Sequence, residues 1–145
     1  MKEILVCIDG SEHALKALQY AVDIANKSEA SLTVLEVVEV FGTSNIYFGY
    51  PGYYNIPVTS EDHLEKIANE RLEKLLAPLG ELKGSFHRKI AKGDPAVEII
   101  EVIESGKFDL VILGTHGRGA LGRFLLGSVS SKVVHHSKAP VMVIR

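Results

Sequence analysis

Glycine and hydroxyl residues near the C-terminal end of the chain are spaced as in a site for an anion. The apolar run 110–113 leads into Gly114, a second glycine follows at Gly117, and a Gly-Ser pair stands at Gly127 and Ser128. A strand that feeds a glycine-rich turn and then a helix brings several unblocked backbone N–H groups together, and the helix N-terminus adds positive potential. This spacing favours the binding of phosphate oxygens.

The distribution of charge supports an anion site in the same region. Residues 110–145 contain no Asp or Glu, and their basic side chains are Arg118, Arg123, Lys132, Lys138 and Arg145. Residues 1–109 carry the other 11 of the 16 Lys and Arg side chains and all 18 acidic ones. The net charge of -2 therefore conceals a basic end on an acidic body. A basic region attracts phosphate, although a solvated basic helix face would give the same count.

The length and composition of the chain indicate one domain. With 145 residues and 46% hydrophobic content, residues 1–145 suffice for one core and are too few for two ordinary ones. The first residues lack the apolar length of a signal peptide and no later run approaches a membrane span, so we expect a cytoplasmic protein. The single cysteine, Cys7, lies in an apolar run and is expected to be buried.

Short apolar runs recur along the chain, separated by segments whose apolar residues follow a helical period. The runs are rich in Val, Ile and Leu, which is typical of strands buried on both faces. Strands that alternate with helices predict a parallel sheet with helices on both sides. The expected strands are 4–8, 32–38, 86–91, 110–113 and 141–144.

The helical segments carry terminal signals and apolar stripes. Ser11 is the expected N-cap of the first helix. The third helix has Asp94 as N-cap, Pro95 at its first position and Gly106 at its end. The residues predicted to face the core are Leu15, Leu18, Val22 and Ala25 in the first helix, the apolar stripe within 64–79 in the second, Val97, Ile100 and Ile103 in the third, and Val129 and Val133 in the fourth.

The glycine-rich stretch as a whole resembles that of the ATP-binding branch of the universal stress protein family. It consists of Gly114, Thr115, His116, Gly117, Arg118 and Gly119, followed by Gly127, Ser128, Val129 and Ser130. Every glycine and the Gly-Ser pair of the family's pattern are matched, and the resemblance covers essentially the whole chain. It implies a single doubly wound five-stranded parallel sheet with helices on both faces, an α/β fold of the adenine nucleotide alpha hydrolase-like kind, with strand order 3-2-1-4-5.

That strand order places the reversal of winding between the first and fourth strands, which end at Asp9 and Gly114. Ligands of doubly wound sheets bind at such a reversal. The resemblance implies that Asp9 faces the ribose and the metal region. It also implies that backbone atoms of Cys7 or Ile8, and of Val37, hold adenine. The nucleotide-binding residues implied are Cys7, Ile8, Asp9, Val37, Gly114, Thr115, His116, Gly117, Arg118, Gly119, Gly127, Ser128, Val129 and Ser130, with Asp9 as the candidate ligand for Mg²⁺ or Mn²⁺ bound with ATP.

Several of these residues also have a structural interpretation. Ser128 and Ser130 would offer hydroxyls to phosphates, but Ser128 would equally serve as a helix cap. Asp9 would equally bond the backbone that precedes the first helix. Arg118 would reach the phosphates or remain a solvated surface residue. These alternatives stay open at the level of sequence.

The expected function is ATP binding by a stress-response sensor or regulator, with at most slow ATP hydrolysis. No Ser-His-acid arrangement with a nucleophile elbow is present, and the loop lacks the phosphate-binding lysine of P-loop NTPases. We therefore expect no enzyme. The alternatives are a nucleotide-free dimeric interaction module, in which the glycines serve only packing, and an adenylate-using enzyme on the same fold.

Two segments suggest partners. The last apolar run, 141–144, would leave a sheet edge that invites pairing with a second copy, so a homodimer is expected. The segment 41–59 is rich in Gly, Pro and Tyr, shows no clear period and is too long for a simple turn. It would pack on itself, contact an unidentified protein partner or cover the nucleotide. Nucleic acid is not expected, because no aromatic stacking motif lies within the single basic region.

Overall fold

The computed structural model describes residues 1–41, 45–47, 56–57, 61–115 and 126–145. Within these ranges the chain forms seven strands and four helices. In order they are β1 (Glu3–Ile8), α1 (Glu12–Ser28), β2 (Ser31–Phe41), β3 (Asn45–Tyr47), β4 (Ile56–Pro57), α2 (Glu61–Leu76), β5 (Phe86–Lys92), α3 (Pro95–Ser105), β6 (Leu110–Gly114), α4 (Ser128–His136) and β7 (Val141–Ile144). In the described part of the chain, no helix has both the length and the apolar character needed to cross a membrane.

Five of the strands form a parallel sheet in the order β5-β2-β1-β6-β7. Numbered by their succession along the chain, these strands have the order 3-2-1-4-5, so the fold implied by the sequence is confirmed. The winding reverses between β1 and β6, which lie side by side although about a hundred residues separate them. The reversal leaves a crevice at the carboxyl ends of these two strands.

The core consists of two layers, one on each face of the sheet. Successive residues of a strand point to opposite faces, so Ile4, Val6 and Ile8 pack under α1 and α2, while Leu5 and Cys7 pack under α3 and α4. Burial of β1 on both faces explains why its sequence is continuously apolar. Complete burial of a side chain such as Leu5 contributes about 1.5–3 kcal/mol.

The predicted helix caps are confirmed, but two predicted core positions are wrong. Ser11 Oγ accepts a hydrogen bond from Ala14 N, and Asp94 accepts from the two N–H groups that follow Pro95. Leu15 is 37% exposed and Val97 is 50% exposed. The buried faces include alanines that the prediction left out. α1 lies on the sheet through Ala14, Ala17 and Ala21, and α3 through Ala96 and Ile99, so each helix is rotated away from the face that the larger apolar residues predicted.

The segment 41–59 contains more regular structure than its composition indicates. β2 continues to Phe41, and β3 returns antiparallel to it, with Glu39 opposite Tyr47. β4 then pairs antiparallel with β3. The sequence shows no clear period here and did not indicate these short strands, and the rest of the segment lies outside the described residues.

A buried ion pair joins α2 to the sheet. The Arg71 guanidinium bonds the Glu36 carboxylate, and the two side chains are only 4% and 5% exposed. Glu36 is the residue of β2 immediately before Val37, close to the carboxyl edge of the sheet. The pair therefore fixes α2 beside the part of β2 that the sequence assigns to the nucleotide site.

The opposite edge of the sheet is held by Asp109. Its Oδ2 accepts hydrogen bonds from Lys2 N at 2.5 Å and Glu3 N at 3.1 Å, which ties the start of β1 to the start of β6. The hydrogen bond from Lys2 N, and after it the one from Glu3 N, lowers the pKa of the Asp109 carboxyl from its ordinary 3.8. A lowered pKa in the folded state means that the contact stabilises the protein above the ordinary pKa and ceases to do so as the pH falls through the folded value.

We therefore expect Asp109→Ala to lower the melting temperature at neutral pH, and the deficit to shrink in acid. Thermal unfolding followed by circular dichroism at about pH 7 and about pH 3 measures both quantities. Asp23→Ala is the control, because the Asp23 side chain is exposed on α1 and makes no hydrogen bond within the described residues. An equal deficit at the two pH values would contradict the assignment of the effect to the ionised carboxylate.

Candidate functional site

Sheet register brings three distant parts of the chain to one level. In β1 and β2, Cys7 lies opposite Leu35 and Ile8 opposite Glu36. Continued by one residue, the register sets Asp9 beside Val37. In β1 and β6, Val6 lies opposite Ile112, and continuation of that register sets Asp9 beside Thr115. Val37, Asp9 and Thr115, which the sequence assigns to the nucleotide site, thus lie at one level of the carboxyl edge, where the winding reverses.

Asp9 shapes the turn that leads from β1 into α1. Its Oδ1 accepts a hydrogen bond from Ser11 N at 2.9 Å, and Gly10 adopts a φ of 82° that side chains disfavour. The alternative in which Asp9 bonds the local backbone is therefore confirmed. Within the described residues nothing donates to Oδ2, and the side chain is half-buried at the crevice. One carboxylate oxygen therefore holds the turn, and the second has no hydrogen-bond donor within the described residues.

Gly114 is required by the packing of α1. A Cβ at this position would lie 2.8 Å from the carbonyl carbon and the Cβ of His13, and 3.0 Å from Ala14 N. The first turn of α1 therefore rests directly on the backbone of Gly114. This contact gives the glycine a structural reason beside the expected approach to phosphate. It also brings the start of α1 against the end of β6.

Thr115 ties the start of α4 to the end of β6. Its carbonyl oxygen accepts hydrogen bonds from Gly127 N at 2.5 Å and from Ser130 Oγ at 2.8 Å. Its N–H donates to Ile144 O at 2.8 Å, so β7 is part of the same arrangement. Thr115 and Ser130 are 2% and 3% exposed. The helix start is thus fixed at the crevice by bonds across residues far apart in sequence.

The first N–H groups of α4 form the anion-binding part of the arrangement. The first turn of the helix closes with the bond from Ser131 N to Gly127 O at 2.9 Å. The N–H groups of Ser128, Val129 and Ser130 precede that bond and have no acceptor within the helix. Together with the helix dipole they favour a negatively charged ligand.

The two serines of this helix have different roles from those expected. Gly127 is the N-cap, so Ser128 is not the cap but the first helical residue, and it is exposed. The Ser130 hydroxyl donates to Thr115 O and Gly127 O, the latter at 3.1 Å. Because these carbonyls take its hydrogen, Ser130 anchors the helix, and Ser128 is the hydroxyl that faces solvent at the helix start. Val129 is half-buried and packs against the core, as predicted.

The residues predicted to hold adenine lie on strands whose side chains belong to the core. Cys7 and Ile8 are 7% and 4% exposed, and Val37 packs against the α3 and α4 layer. Burial, with a smaller effect from the Asp9 charge, raises the pKa of the Cys7 thiol to about 12. The thiol is therefore neutral at physiological pH, and only backbone groups of these residues can bond a ligand.

The middle of the glycine-rich stretch lies outside the described residues. This applies to His116, Gly117, Arg118 and Gly119, whose predicted roles stay predictions. Within the described residues no group of three His, Cys, Asp or Glu side chains is arranged to hold a metal ion. A cation at Asp9 would therefore need oxygen ligands from a bound nucleotide.

Proteins of one family resemble the chain in sequence over almost its whole length. The family model described as the universal stress protein family matches residues 1–145. A universal stress protein of Methanocaldococcus jannaschii is 33% identical over 144 residues, which cover 99% of this chain and 82% of that protein. A universal stress protein of Bacillus subtilis is 33% identical over 152 aligned positions, with 99% and 98% covered.

Solved structures have the same fold. A universal stress protein from Lactobacillus plantarum superposes with a TM-score of 0.73 at 27% identity, covering 99% of this chain and 97% of that one. A universal stress protein in complex with cAMP superposes with a TM-score of 0.66 at 25% identity, covering 99% and 96%. One from Archaeoglobus fulgidus in complex with dAMP gives 0.65 at 17% identity, covering 100% and 98%, a likeness of fold alone.

Proposed function

This chain belongs to the universal stress protein family, and from that premise we propose that it binds ATP together with Mg²⁺ or Mn²⁺ and reports nucleotide occupancy to a protein partner. The observation that carries the proposal is the fixed start of α4. The Thr115 carbonyl fixes the start of this helix, with its unbonded N–H groups, at the carboxyl edge of the sheet, where Asp9 directly follows β1. The N–H groups of α4, which would donate to phosphate, and the Asp9 carboxylate, which would accept from a ribose hydroxyl, thereby lie near adjacent strand ends.

The described residues fit a nucleotide in three parts. The N–H groups of Ser128 and Val129 would bond phosphate oxygens at the helix start. The Asp9 carboxylate would accept from a ribose hydroxyl or contribute one oxygen ligand to the cation. Backbone groups of Cys7 or Ile8, and of Val37, would form hydrogen bonds with the edge of the adenine base. When bound, the divalent cation neutralises phosphate charge that would otherwise repel Asp9.

Nucleotide complexes of relatives support adenine as the base. The complex with cAMP belongs to a universal stress protein that is 25% identical to this chain and superposes over 99% of it. ATP rather than a mononucleotide is favoured here by charge, since Arg118 and Arg123 lie close in sequence to the start of α4 and residues 110–145 contain no acidic side chain. The longer phosphate chain gains most from such a region.

Calorimetric titration of nucleotide-stripped protein with ATP and Mg²⁺ tests the proposal. The expected result is saturable binding with a Kd of about 1–100 μM, with AMP weaker than ATP. No heat of binding from folded protein would overturn it. The glycines would then serve packing alone, as Gly114 does against α1, and a nucleotide-free interaction module would be the better description.

We propose further that the protein binds ATP without turning it over. At the described part of the crevice, the Cys7 thiol is neutral and buried, and the Ser130 hydroxyl is held by two carbonyls. Neither is available as a nucleophile or as a base for water, and the Asp9 carboxylate, which holds the turn before α1 through one oxygen, is assigned to the ribose or the cation by the other. Phosphate release measured with malachite green is expected to stay below about one turnover per minute, a barrier of roughly 20 kcal/mol; faster release would contradict the proposal.

We also propose a homodimer that pairs through β7. Within the described residues β7 pairs on one side only, with β6, and its Met142 is 36% exposed. An apolar edge strand is a template for pairing with a second copy. Light scattering at micromolar concentration should give the mass of two chains, and Val143→Pro, which removes a backbone donor from the edge, should give the mass of one.

A further inference from the structure

The strand proposed to pair with a second copy, β7, is bonded to the residue that fixes the start of α4. Thr115 N donates to Ile144 O in β7 at 2.8 Å. Thr115 O accepts from Gly127 N at 2.5 Å and from Ser130 Oγ at 2.8 Å. Thr115 is 2% exposed, so these bonds are shielded from water. The proposed phosphate site and the proposed dimer strand therefore meet at one buried residue.

One peptide unit of β7 faces both Thr115 and the outer edge of the sheet. It joins Ile144 to Arg145 and is trans. In a trans peptide the C=O and the N–H point in opposite directions. Because Ile144 O is bonded to Thr115 N, the Arg145 N–H points away from β6, toward the edge where a second copy is proposed to pair. The Val143 N–H points the same way, since alternate residues of a parallel ladder bond the same neighbour.

The bond between Thr115 N and Ile144 O provides an element with two states, closed and open. Local opening costs least at the periphery of a fold, and opening of β7 at this point separates these two groups. A phosphate on the first turn of α4 favours the closed state, because it fixes the helix start to which Thr115 O is bonded. A second copy bonded to the outer edge of β7 favours the same closed state. Two ligands that favour one state raise each other's affinity.

We propose that nucleotide binding at the start of α4 and pairing of a second copy along β7 are coupled through Thr115, so that ATP strengthens the dimer. The proposal rests on the nucleotide site and the dimer proposed above, and it deepens them by naming the surface that responds to the nucleotide. Occupancy is thereby reported to a second copy of the chain. By linkage, ATP binds the dimer more tightly than it binds the single chain.

Light scattering of nucleotide-stripped protein over a dilution series, with and without saturating ATP and Mg²⁺, measures the coupling. We expect ATP to lower the Kd of the dimer by about tenfold, which is within the usual range for coupled sites. Saturating adenosine, which lacks the phosphates, should lower the Kd by less than about twofold. An equal effect of adenosine would overturn the route through α4, and a dimer weakened by ATP would overturn the coupling.

Ser130→Ala tests the route between the two surfaces. It removes one of the hydrogen bonds that the start of α4 donates to Thr115 O. The effect of saturating ATP on the dimer should fall from about tenfold to about threefold or less. Ser105→Ala is the matched control and should keep the full effect, because the Ser105 hydroxyl bonds Val102 O within α3 at 3.2 Å. An undiminished effect in folded Ser130→Ala would overturn the route through Thr115.

Hydrogen exchange of the Thr115 amide reports the closed state directly, because this N–H is the donor to Ile144 O. NMR follows it in Val143→Pro, which is expected to remain a single chain. ATP should slow the exchange by roughly tenfold there, since it lowers the population of the open state. Exchange that ATP leaves unchanged would overturn the proposal. This measurement needs no change in α4, so it tests the coupling even if Ser130→Ala does not fold.

The outcomes separate the coupling from the functions on which it rests. If calorimetry shows that the folded parent binds no ATP, the nucleotide site fails and the coupling fails with it. If the parent binds ATP but stays a single chain at every concentration, the dimer fails, again with the coupling. If the parent binds ATP and forms a dimer whose Kd is the same with and without the nucleotide, only the coupling is overturned.

Discussion

Arg71→Met is expected to lower the free energy of unfolding by about 3–5 kcal/mol, because it leaves the buried Glu36 carboxylate without its guanidinium. Glu36 and Arg71 are 4% and 3% exposed, so water cannot replace the lost partner. Urea denaturation followed by circular dichroism measures the change. The predicted loss is a large share of the stability of a domain of this size.

Two further variants show whether burial or pairing is responsible. The double substitution Glu36→Leu with Arg71→Met removes both charges and is expected to recover most of the stability lost in Arg71→Met. The exposed pair of Lys138 with Glu104, at 3.0 Å, is the matched control, because its side chains are 78% and 47% exposed. Lys138→Met should cost less than about 1 kcal/mol. A loss from Arg71→Met no larger than that of the control would contradict the prediction.

The ion pair of Glu36 with Arg71 connects the stability of the protein with the candidate nucleotide site. Glu36 precedes Val37 in β2, and Arg71 belongs to α2, which follows the segment 41–59. A buried carboxylate that has lost the Arg71 guanidinium would disturb the strand end that is proposed to bond adenine. The ion pair therefore holds α2 against β2, next to the strand end that is proposed to contact the nucleotide.

Local signals of the sequence predicted local structure well. Ser11 and Asp94 were predicted as N-caps from their own neighbours, and both accept the bonds that a cap requires. The strand runs and their order follow from composition together with the family resemblance. Leu15 and Val97 were placed in the core wrongly, because the face that a helix buries depends on which residues let it approach the sheet.

Contacts between distant residues were not visible in the sequence. The bond of Ser130 Oγ to Thr115 O spans 15 positions, and the pair of Glu36 with Arg71 spans 35. The apolar stripe within 64–79 did not indicate that Arg71 is buried or that Glu36 is its partner. The glycines indicated where the site lies, whereas only the fold shows that Gly114 is needed for the approach of α1.

Ser128→Asp is expected to weaken ATP binding by at least tenfold while leaving the melting temperature unchanged or raising it. Ser128 is the first residue of α4 and is exposed, so a carboxylate there meets solvent and the favourable end of the helix dipole. An acidic residue at a helix start stabilises the protein by about 0.3–1 kcal/mol. The same carboxylate repels phosphates bound to the N–H groups of that turn. Binding and stability should therefore change in opposite directions.

Two control variants isolate the position from the charge. Ser128→Asn has nearly the shape of the aspartate without its charge and should bind ATP within about threefold of the parent, a change of less than about 1 kcal/mol. Ser131→Asp places the same charge on the exposed side of α4 one turn later, where its N–H already bonds Gly127 O. If Ser131→Asp weakens binding as much as Ser128→Asp, the effect comes from net charge and the start of α4 is not the phosphate site. A loss confined to Ser128→Asp would place the phosphates on the first turn of α4, where unbonded N–H groups and the helix dipole act on the same ligand.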